Sequence, residues 1–297
     1  MKILLTGCTG QVGYELARSL QSCGEVIAMD RSGMDLSDLD AVRDVIRAVR
    51  PALIVNPAAY TAVDQAEREP ELAMRVNGVA PGVMAEEAAR LGAAMIHYST
   101  DYVFDGEKAG GYLETDATGP LNVYGHSKLA GERAVQAVGI PHLILRTSWV
   151  YGMRGKNFLL TVRRLALERD ELRIVADQHG APTWSRTIAD TTANIVAQLG
   201  DPRAVGKTQE AWQAASGIYH LAAQGQTTWH GFAQAVVAGL PEAGIPASGR
   251  PRVVPIASSE YPLPAQRPRH SVLSCERLKN RFCRLPDWQT ALTLSQE

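Results

Sequence analysis

Cysteine is scarce, with four in 297 residues: Cys8, Cys23, Cys275 and Cys283. Their wide scatter forms neither a disulfide framework nor a metal-ligand spacing. They read as reduced thiols in a cytosolic protein, with Cys8 a small residue filling a tight turn. No apolar run is long enough to cross a bilayer, and no basic-then-apolar leader opens the chain, so a secretory signal is not expected. Neither sign of charge is in excess: Lys and Arg number 30 against 31 Asp and Glu, a net charge of -1. That balance gives no case for a nucleic-acid or membrane surface, both of which need a basic excess. Internal repeats and low-complexity tracts are missing too. The remainder is an ordinary soluble composition, 45% hydrophobic, long enough to bury a large core as one α/β unit or two domains.

The pattern alternates strands and helices. Short apolar strands are expected at 2–6, 25–30, 53–55, 94–99 and 142–147, separated by helices at 10–23, 39–49, 71–91 and 124–138. Pro81 is an expected irregularity in the long third helix. Such alternation implies a doubly wound parallel sheet with helices on both faces, an α/β Rossmann-type fold. After Trp149 the rhythm changes. A helix is expected at 158–168, followed by Leu172-Arg173-Ile174-Val175 and a turn-rich 177–183. A helix near 186–199 returns to the first domain. A polar surface loop or frayed helix covers 200–217, with a strand at 218–222, a helix at 229–239 and proline-rich connections over 241–268. The expected organisation is a dinucleotide-binding domain of residues 1–150 plus about 184–200, with 151–183 and 201–297 forming a smaller substrate-binding lobe.

Two features carry chemistry. In the first, Lys2-Ile3-Leu4-Leu5-Thr6 runs into Gly7, Gly10 and Gly13. Gly7 permits the turn out of the strand, Gly10 lets backbone approach a pyrophosphate, and Gly13 lets the helix pack on the sheet. Amides around Gln11 and Val12 then face the phosphates, aided by the helix dipole. Asp30 ends the next strand at about the expected ~20 residues and can accept from ribose hydroxyls, favouring NADH. Arg31 can pair with a 2′-phosphate, favouring NADPH, or stand as a surface charge. Asp35-Leu36 is either an adenine contact or, through Asp35, the N-cap of the helix at 39. Ala58, Ala59, Tyr60 and Thr61 follow the third strand, as small residues against a cofactor or as a simple turn.

In the second feature, Tyr124 precedes Lys128 by one helical turn, which puts both on one face. An ammonium beside a phenol favours the phenolate and lowers a pKa that starts near ~10, giving a usable general acid or base. Lys128 can also hold a nicotinamide ribose. Ser99-Thr100, ending the fourth strand, supplies a hydroxyl for a carbonyl that gains charge on hydride addition. Alone, each of these also reads as a helix face or a strand-end turn.

The glycine loop, Thr100, Tyr124 and Lys128 together resemble the extended short-chain dehydrogenase/reductases. Val55-Asn56-Pro57-Ala58-Ala59-Tyr60-Thr61-Ala62-Val63-Asp64, His97-Tyr98-Ser99-Thr100-Asp101-Tyr102-Val103-Phe104-Asp105-Gly106, Pro120-Leu121-Asn122-Val123-Tyr124-Gly125 and Leu145-Arg146-Thr147-Ser148-Trp149-Val150-Tyr151 narrow the likeness. These segments resemble the dTDP-4-dehydrorhamnose reductases, and Asp177-Gln178-His179-Gly180-Ala181-Pro182-Thr183 and Arg267-Pro268-Arg269-His270-Ser271 extend that resemblance.

The resemblance implies the last step of dTDP-L-rhamnose synthesis, with hydride passing from NADPH or NADH to the C4 ketone of a dTDP-6-deoxy-4-ketohexose. It implies that Tyr124 protonates the alkoxide, that Lys128 tunes Tyr124 and holds the ribose, and that Thr100 orients the carbonyl. Asp101, Tyr102 and Trp149 match sugar-nucleotide-facing positions, and Asn157, Gln178 and Arg267 match the nucleotide end. His270 stands where the family commonly has asparagine. Glu15 fits the first position of a Mg²⁺-bridged dimer seen in some relatives. Trp184, Ser185 and Arg186 offer no second carboxylate, so no metal is expected there, and a monomer or weak homodimer is. A 4,6-dehydratase needs a second carboxylate where Tyr102 stands. An epimerase differs by showing no net cofactor consumption, and a catalytically silent regulatory subunit, as in the methionine adenosyltransferase β subunit, would not need Thr100, Tyr124 and Lys128 intact.

Overall fold

The computed structural model describes residues 1–204, 206–241 and 249–296. Along the chain it runs β1 (Lys2–Leu5), α1 (Gln11–Ser19), β2 (Glu25–Ala28), α2 (Leu39–Val49), β3 (Leu53–Asn56), α3 (Val63–Ala66), α4 (Pro70–Met74), α5 (Ala80–Leu91), β4 (Ala94–Thr100), α6 (Val123–Val138) and β5 (His142–Thr147). The second half holds β6 (Val150–Tyr151), α7 (Phe158–Glu168), β7 (Glu171–Val175), β8 (His179–Gly180), β9 (Thr183–Trp184), α8 (Ser185–Leu199), α9 (Lys207–Ala215), β10 (Gly217–His220), β11 (Thr227–Thr228), α10 (Trp229–Ala238), β12 (Arg252–Ile256), α11 (Glu276–Arg281) and α12 (Trp288–Gln296).

The main sheet is six-stranded and parallel, in the order β10-β5-β4-β3-β1-β2. Its strands are apolar on both faces because both are covered. Ile3, Leu5, Leu53, Val55, Ile96, Leu143 and Leu145 point to one core, shared with Leu16 of α1 and with Ile188 and Val196 of α8. Leu4, Ile54, Met95 and Ile144 alternate to the other, against Val42 and Ile46 of α2 and Met84 and Ala88 of α5. The chain order reverses between β1 and β3. In such sheets the crevice beyond the strand carboxyl ends at that reversal is the ligand site. Leu159, Val162, Leu172, Phe232, Val236 and Leu292 form a separate apolar cluster among α7, β7, α10 and α12.

Three expectations are refined. The polar stretch after Gly200, expected as a loop or a frayed helix, contains the helix α9 and leads into β10, near the expected strand, which pairs with β5 from Gly217↔Leu143 to His220↔Arg146. Residues 217–220 therefore complete the dinucleotide-type sheet rather than belonging with the second lobe. The long helix expected over 71–91 is two α-helices joined by a π-turn at Arg75–Val79. Pro81 lacks an N–H and its ring would crowd the carbonyl four residues back, so the backbone widens just ahead of it. The proline-rich connection carries β12, parallel to β7; residues 242–248 of that stretch lie outside the described residues. Among the described residues no helix is long and apolar enough to cross a membrane.

Candidate active site

The glycine turn leaves β1 with Gly7 at φ +57°, and a Cβ there would meet Ala58 Cβ at 2.9 Å. A Cβ on Gly13 would lie 2.1 Å from the Gly7 carbonyl oxygen, so α1 packs on the loop as closely as backbone allows. Gly10 caps α1 without a side chain, which leaves the first-turn amides of Gln11, Val12 and Gly13 without intrahelical acceptors. They face a cleft of about 790 Å³ at the strand reversal.

Asp30, Arg31, Asp35 and Leu36 line the same cleft. The Asp30 carboxylate accepts from Ser32 N (2.9 Å), Ser32 Oγ (2.6 Å) and Gly33 N (3.1 Å), and these donors hold its pKa below the usual range. Arg31 Nε reaches Asp35 Oδ2 at 3.1 Å and is otherwise exposed. Of the two readings of Asp35, the capping one fails: Asp38 caps α2, accepting from Asp40 N and Ala41 N. Asp35 instead folds onto Ser37 N at 2.9 Å.

Ala58, Ala59, Tyr60 and Thr61 form the opposite wall. Asn77, buried in the π-turn, fixes them: its Oδ1 accepts from Tyr60 N at 2.8 Å, and its Nδ2 donates to Tyr60 O at 2.9 Å and to Ser127 Oγ at 3.0 Å. One side chain thus ties this wall to α6, which bears Tyr124 and Lys128. The sequence reading missed Asn77; its only signal was an amide within an apolar helical stretch.

Thr100, Asp101, Tyr124 and Lys128 converge on the cleft. Asn122 caps α6 through Gly125 N at 2.8 Å, and the Tyr102 and Tyr124 rings meet edge-on at 5.9 Å. The pairing of Tyr124 with Lys128 needs correction. The lysine stem runs inward to the end of β4, where Nζ donates to the Tyr98 carbonyl at 2.6 Å. Burial pushes the Tyr124 phenol up to about 12, opposed by the neighbouring Thr100 hydroxyl and not by Lys128. Burial also pushes the Lys128 ammonium down to about 8, with Glu132 opposing. A shared helix face brings Cβ atoms together, but a flexible four-carbon stem chooses its own acceptor. Ser99 Oγ, Asp101 Oδ2 and Thr147 Oγ1 are buried in the cleft wall without hydrogen-bond partners. Buried polar atoms are normally satisfied, so three orphans at one place fit a polar ligand.

At the far end Trp149, at φ +46°, stacks on Trp229 with centroids 3.6 Å apart and planes 7° from parallel. Gly180 makes room, since a Cβ there would lie 2.4 Å from the Trp149 ring. Left-handed backbone is costly for a tryptophan and persists where its surroundings enforce it. Trp229, which lines the cleft, escaped the sequence reading because nothing local distinguishes it from a packing aromatic. Gln178 lies behind it, accepting from Trp229 Nε1 at 3.2 Å. Asn157 caps α7 and donates to Gln11 Oε1 at 2.8 Å, joining α7 to the start of α1 beside the glycine turn. Arg267 is not in the cleft wall: it grips Asp64 through two bonds of 2.6 Å and neighbours Tyr102. His270 stacks on His179 at 4.7 Å. Arg186 lies 3.7 Å from Asp190. Among the described residues no group of three or more His, Cys, Asp or Glu is arranged to hold a metal ion.

Residues 1–296 match the family model described as the RmlD substrate binding domain. A dTDP-4-dehydrorhamnose reductase of Burkholderia thailandensis is 51% identical over 99% of this chain and 97% of its own. The chain belongs to the dTDP-4-dehydrorhamnose reductase family. A crystal structure of the Bacillus anthracis dTDP-4-dehydrorhamnose reductase in complex with NADP superposes with a TM-score of 0.87, at 32% identity and covering 99% and 98% of the two chains. The UDP-glucose 4-epimerase of Thermus thermophilus in complex with NAD superposes at 0.78 over 100% of this chain and 98% of that one, at 22% identity, which shows a shared fold. In this chain Thr100, Tyr124 and Lys128 share one cleft with the glycine turn.

Proposed function

We propose that this chain reduces the C4 ketone of dTDP-4-dehydrorhamnose to give dTDP-L-rhamnose, using NADPH or NADH. The observation that carries this reading is a single cleft holding both a phosphate-type backbone cradle and the Thr100–Tyr124 hydroxyl pair, in a chain of that reductase family. A bound reduced nicotinamide supplies the hydride. The cradle fits a dinucleotide: Gly7, Gly10 and Gly13 leave no side chain between the Gln11–Gly13 amides and a pyrophosphate. Asp30 serves the adenosine ribose, Arg31 a 2′-phosphate when one is present, and Asp35-Leu36 the adenine. Ala58 to Thr61 form the wall opposite.

On the substrate side Thr100 donates to the carbonyl oxygen, and Tyr124 delivers a proton to that oxygen as it becomes an alkoxide. The phenol, harder to ionise here than in water, stays loaded with its proton at neutral pH. Lys128 would hold the nicotinamide ribose with the ammonium donors that its bond to the Tyr98 carbonyl leaves free. Asp101, Tyr102 and the Trp149–Trp229 stack face the sugar nucleotide. Asn157 and Gln178 support that end through Gln11 and Trp229, and Arg267, paired with Asp64, acts there through its neighbour Tyr102. Residues 1–150 and 184–200, together with 217–220, make the dinucleotide unit and the rest the substrate unit, in a cytoplasmic monomer or weak homodimer.

The test is NADPH and NADH oxidation with and without dTDP-4-dehydrorhamnose. One cofactor oxidised per ketosugar is expected, with dTDP-L-rhamnose as product. Turnover without net oxidation would point to epimerisation, and no ketosugar-dependent change with either cofactor would sink the proposal. A Trp229→Ala variant should raise KM for the nucleotide sugar roughly tenfold, with kcat within about twofold. The lost stacking is worth about 0.5–1.5 kcal/mol beyond area, and Trp149 loses its support. An unchanged KM would remove the stack from the binding site.

A further inference from the structure

Among the described residues three basic side chains line the cleft: Arg31, Lys128 and Lys156. The first two are engaged, Arg31 Nε with Asp35 at 3.1 Å and Lys128 Nζ with the Tyr98 carbonyl at 2.6 Å. Lys156 stands exposed, with neither an ion-pair nor a hydrogen-bond partner among the described residues. Its place is fixed by its neighbours. Residues 152–157 form a strap from β6 to α7, seated on the first turn of α1. Asn157 donates to Gln11 Oε1 at 2.8 Å, and it also gathers the strap's own carbonyls, Gly152 O at 2.8 Å and Arg154 O at 3.2 Å. A Cβ added to Gly155 would lie 3.5 Å from Gln11 Cγ. Lys156 thus sits between two residues that both touch Gln11, the first residue of α1. Arg154 is spent on the same helix. Its guanidinium carbon lies 3.8 Å from the centroid of the Tyr14 ring, and that of Arg18 lies 3.4 Å from it. Two guanidinium groups that close to one ring take its opposite faces, so the strap is clamped to α1.

We infer that Lys156 grips the pyrophosphate of the reduced dinucleotide, adding a full positive charge to the partial one that the α1 amides supply. The inference rests on the reductase reading and adds to its cofactor cradle a residue outside the glycine turn. A dinucleotide pyrophosphate is a dianion, whereas a helix N-terminus is worth about half an elementary charge. Asp30, Asp35 and Asp101 line the same cleft, so without Lys156 its wall would carry more acidic than basic groups. Arg31 serves the adenosine end of the cradle and Lys128 the nicotinamide end, which leaves the glycine turn between them to Lys156. An ammonium on a flexible stem suits a point-charge contact of this kind. The strap is already seated by Asn157 and Arg154, so binding orders only the lysine stem. The nucleotide sugar also carries a diphosphate. Contact of both flanking residues with Gln11 favours the cofactor's.

The experiment is calorimetric titration of the full chain, wild type and Lys156→Met, with NADPH, ADP-ribose and dTDP, in which nothing turns over. ADP-ribose carries the cofactor's pyrophosphate without the nicotinamide, and dTDP the diphosphate of the sugar nucleotide. Lys156→Met keeps the apolar stem of an exposed side chain and removes its charge, so the fold is not at risk. It should raise Kd for NADPH and for ADP-ribose by roughly five- to tenfold. That is below the ~10- to 100-fold of a buried charge-assisted bond, because water screens an exposed ammonium. Kd for dTDP should stay within about twofold. Raising the salt from about 50 mM to about 500 mM should weaken NADPH binding less in Lys156→Met than in wild type, since one screened contact has gone. In steady state KM for NADPH should rise with kcat unchanged, the mark of a group that binds without acting in the transition state. An unchanged Kd for ADP-ribose, a loss for dTDP as large as that for ADP-ribose, or an equal salt dependence in the two proteins would each overturn the role of Lys156. A wild type that binds neither NADPH nor ADP-ribose would instead overturn the cofactor reading itself.

Discussion

Tyr124→Phe is expected to lower kcat by roughly 10²- to 10⁴-fold, the usual contribution of a positioned general acid, while KM and NADPH binding stay within about twofold. The reason is geometric. Asn122 fixes the start of α6 through Gly125 N. Gly125 packs so closely that a Cβ there would sit 2.3 Å from the Tyr102 carbonyl oxygen. The Tyr124 ring is thereby set against Tyr102 at 5.9 Å and against the Thr100 hydroxyl. Phenylalanine keeps the ring and its contacts and removes one oxygen, so binding is spared and proton delivery is lost. Water can replace the donor only poorly, since Thr100 and Asp101 beside it are buried. Single-turnover kinetics with both cofactors check this. A variant retaining more than a tenth of wild-type kcat would show that the phenol is not the acid.

The parts legible in the sequence are those whose chemistry is local. Gly7 and Gly13 announce a turn because only glycine tolerates the close approaches found there, and Gly10 completes the spacing. Tyr124 and Lys128 share a helix face by spacing, and Thr100 ends a strand whose apolar run is plain. Illegible were choices made between distant segments. The direction of the Lys128 side chain depends on the carbonyl of Tyr98, thirty residues earlier. Arg267 gives no local sign of its ion-pair partner, Asp64, 203 positions away. Trp229 reaches the cleft only because α10 docks beside Trp149 over Gly180. The sixth strand, Gly217–His220, is four residues long and lies beyond a polar stretch, so neither length nor periodicity assigns it to the sheet whose edge it covers at β5.

The second large effect lies in the support of α6 and concerns stability. Glu132, one turn beyond Lys128 on that helix, receives Arg146 of β5 through Nε at 2.8 Å and Nη2 at 2.7 Å. The two side chains are 1% and 2% exposed. Such a pair fixes register more than it adds net stability, because both charges have left water. Removing one partner is different: Glu132→Gln leaves a guanidinium in the core, and Arg146 Nη1 already lacks an acceptor. The expected cost is about 3–5 kcal/mol, a large share of the ~5–15 kcal/mol typical of a folded domain. It should be read as a lower urea midpoint at unchanged slope. Glu132 also favours the charged form of Lys128, so the variant should lower the pKa of that ammonium further. Replacing both residues together, Glu132→Leu with Arg146→Met, should recover most of the stability without recovering that effect, since no buried charge is then orphaned. If Glu132→Gln moved the midpoint by less than about 1 kcal/mol equivalent, the pair would be behaving as a solvated one, and α6 would be held in place by its apolar packing alone.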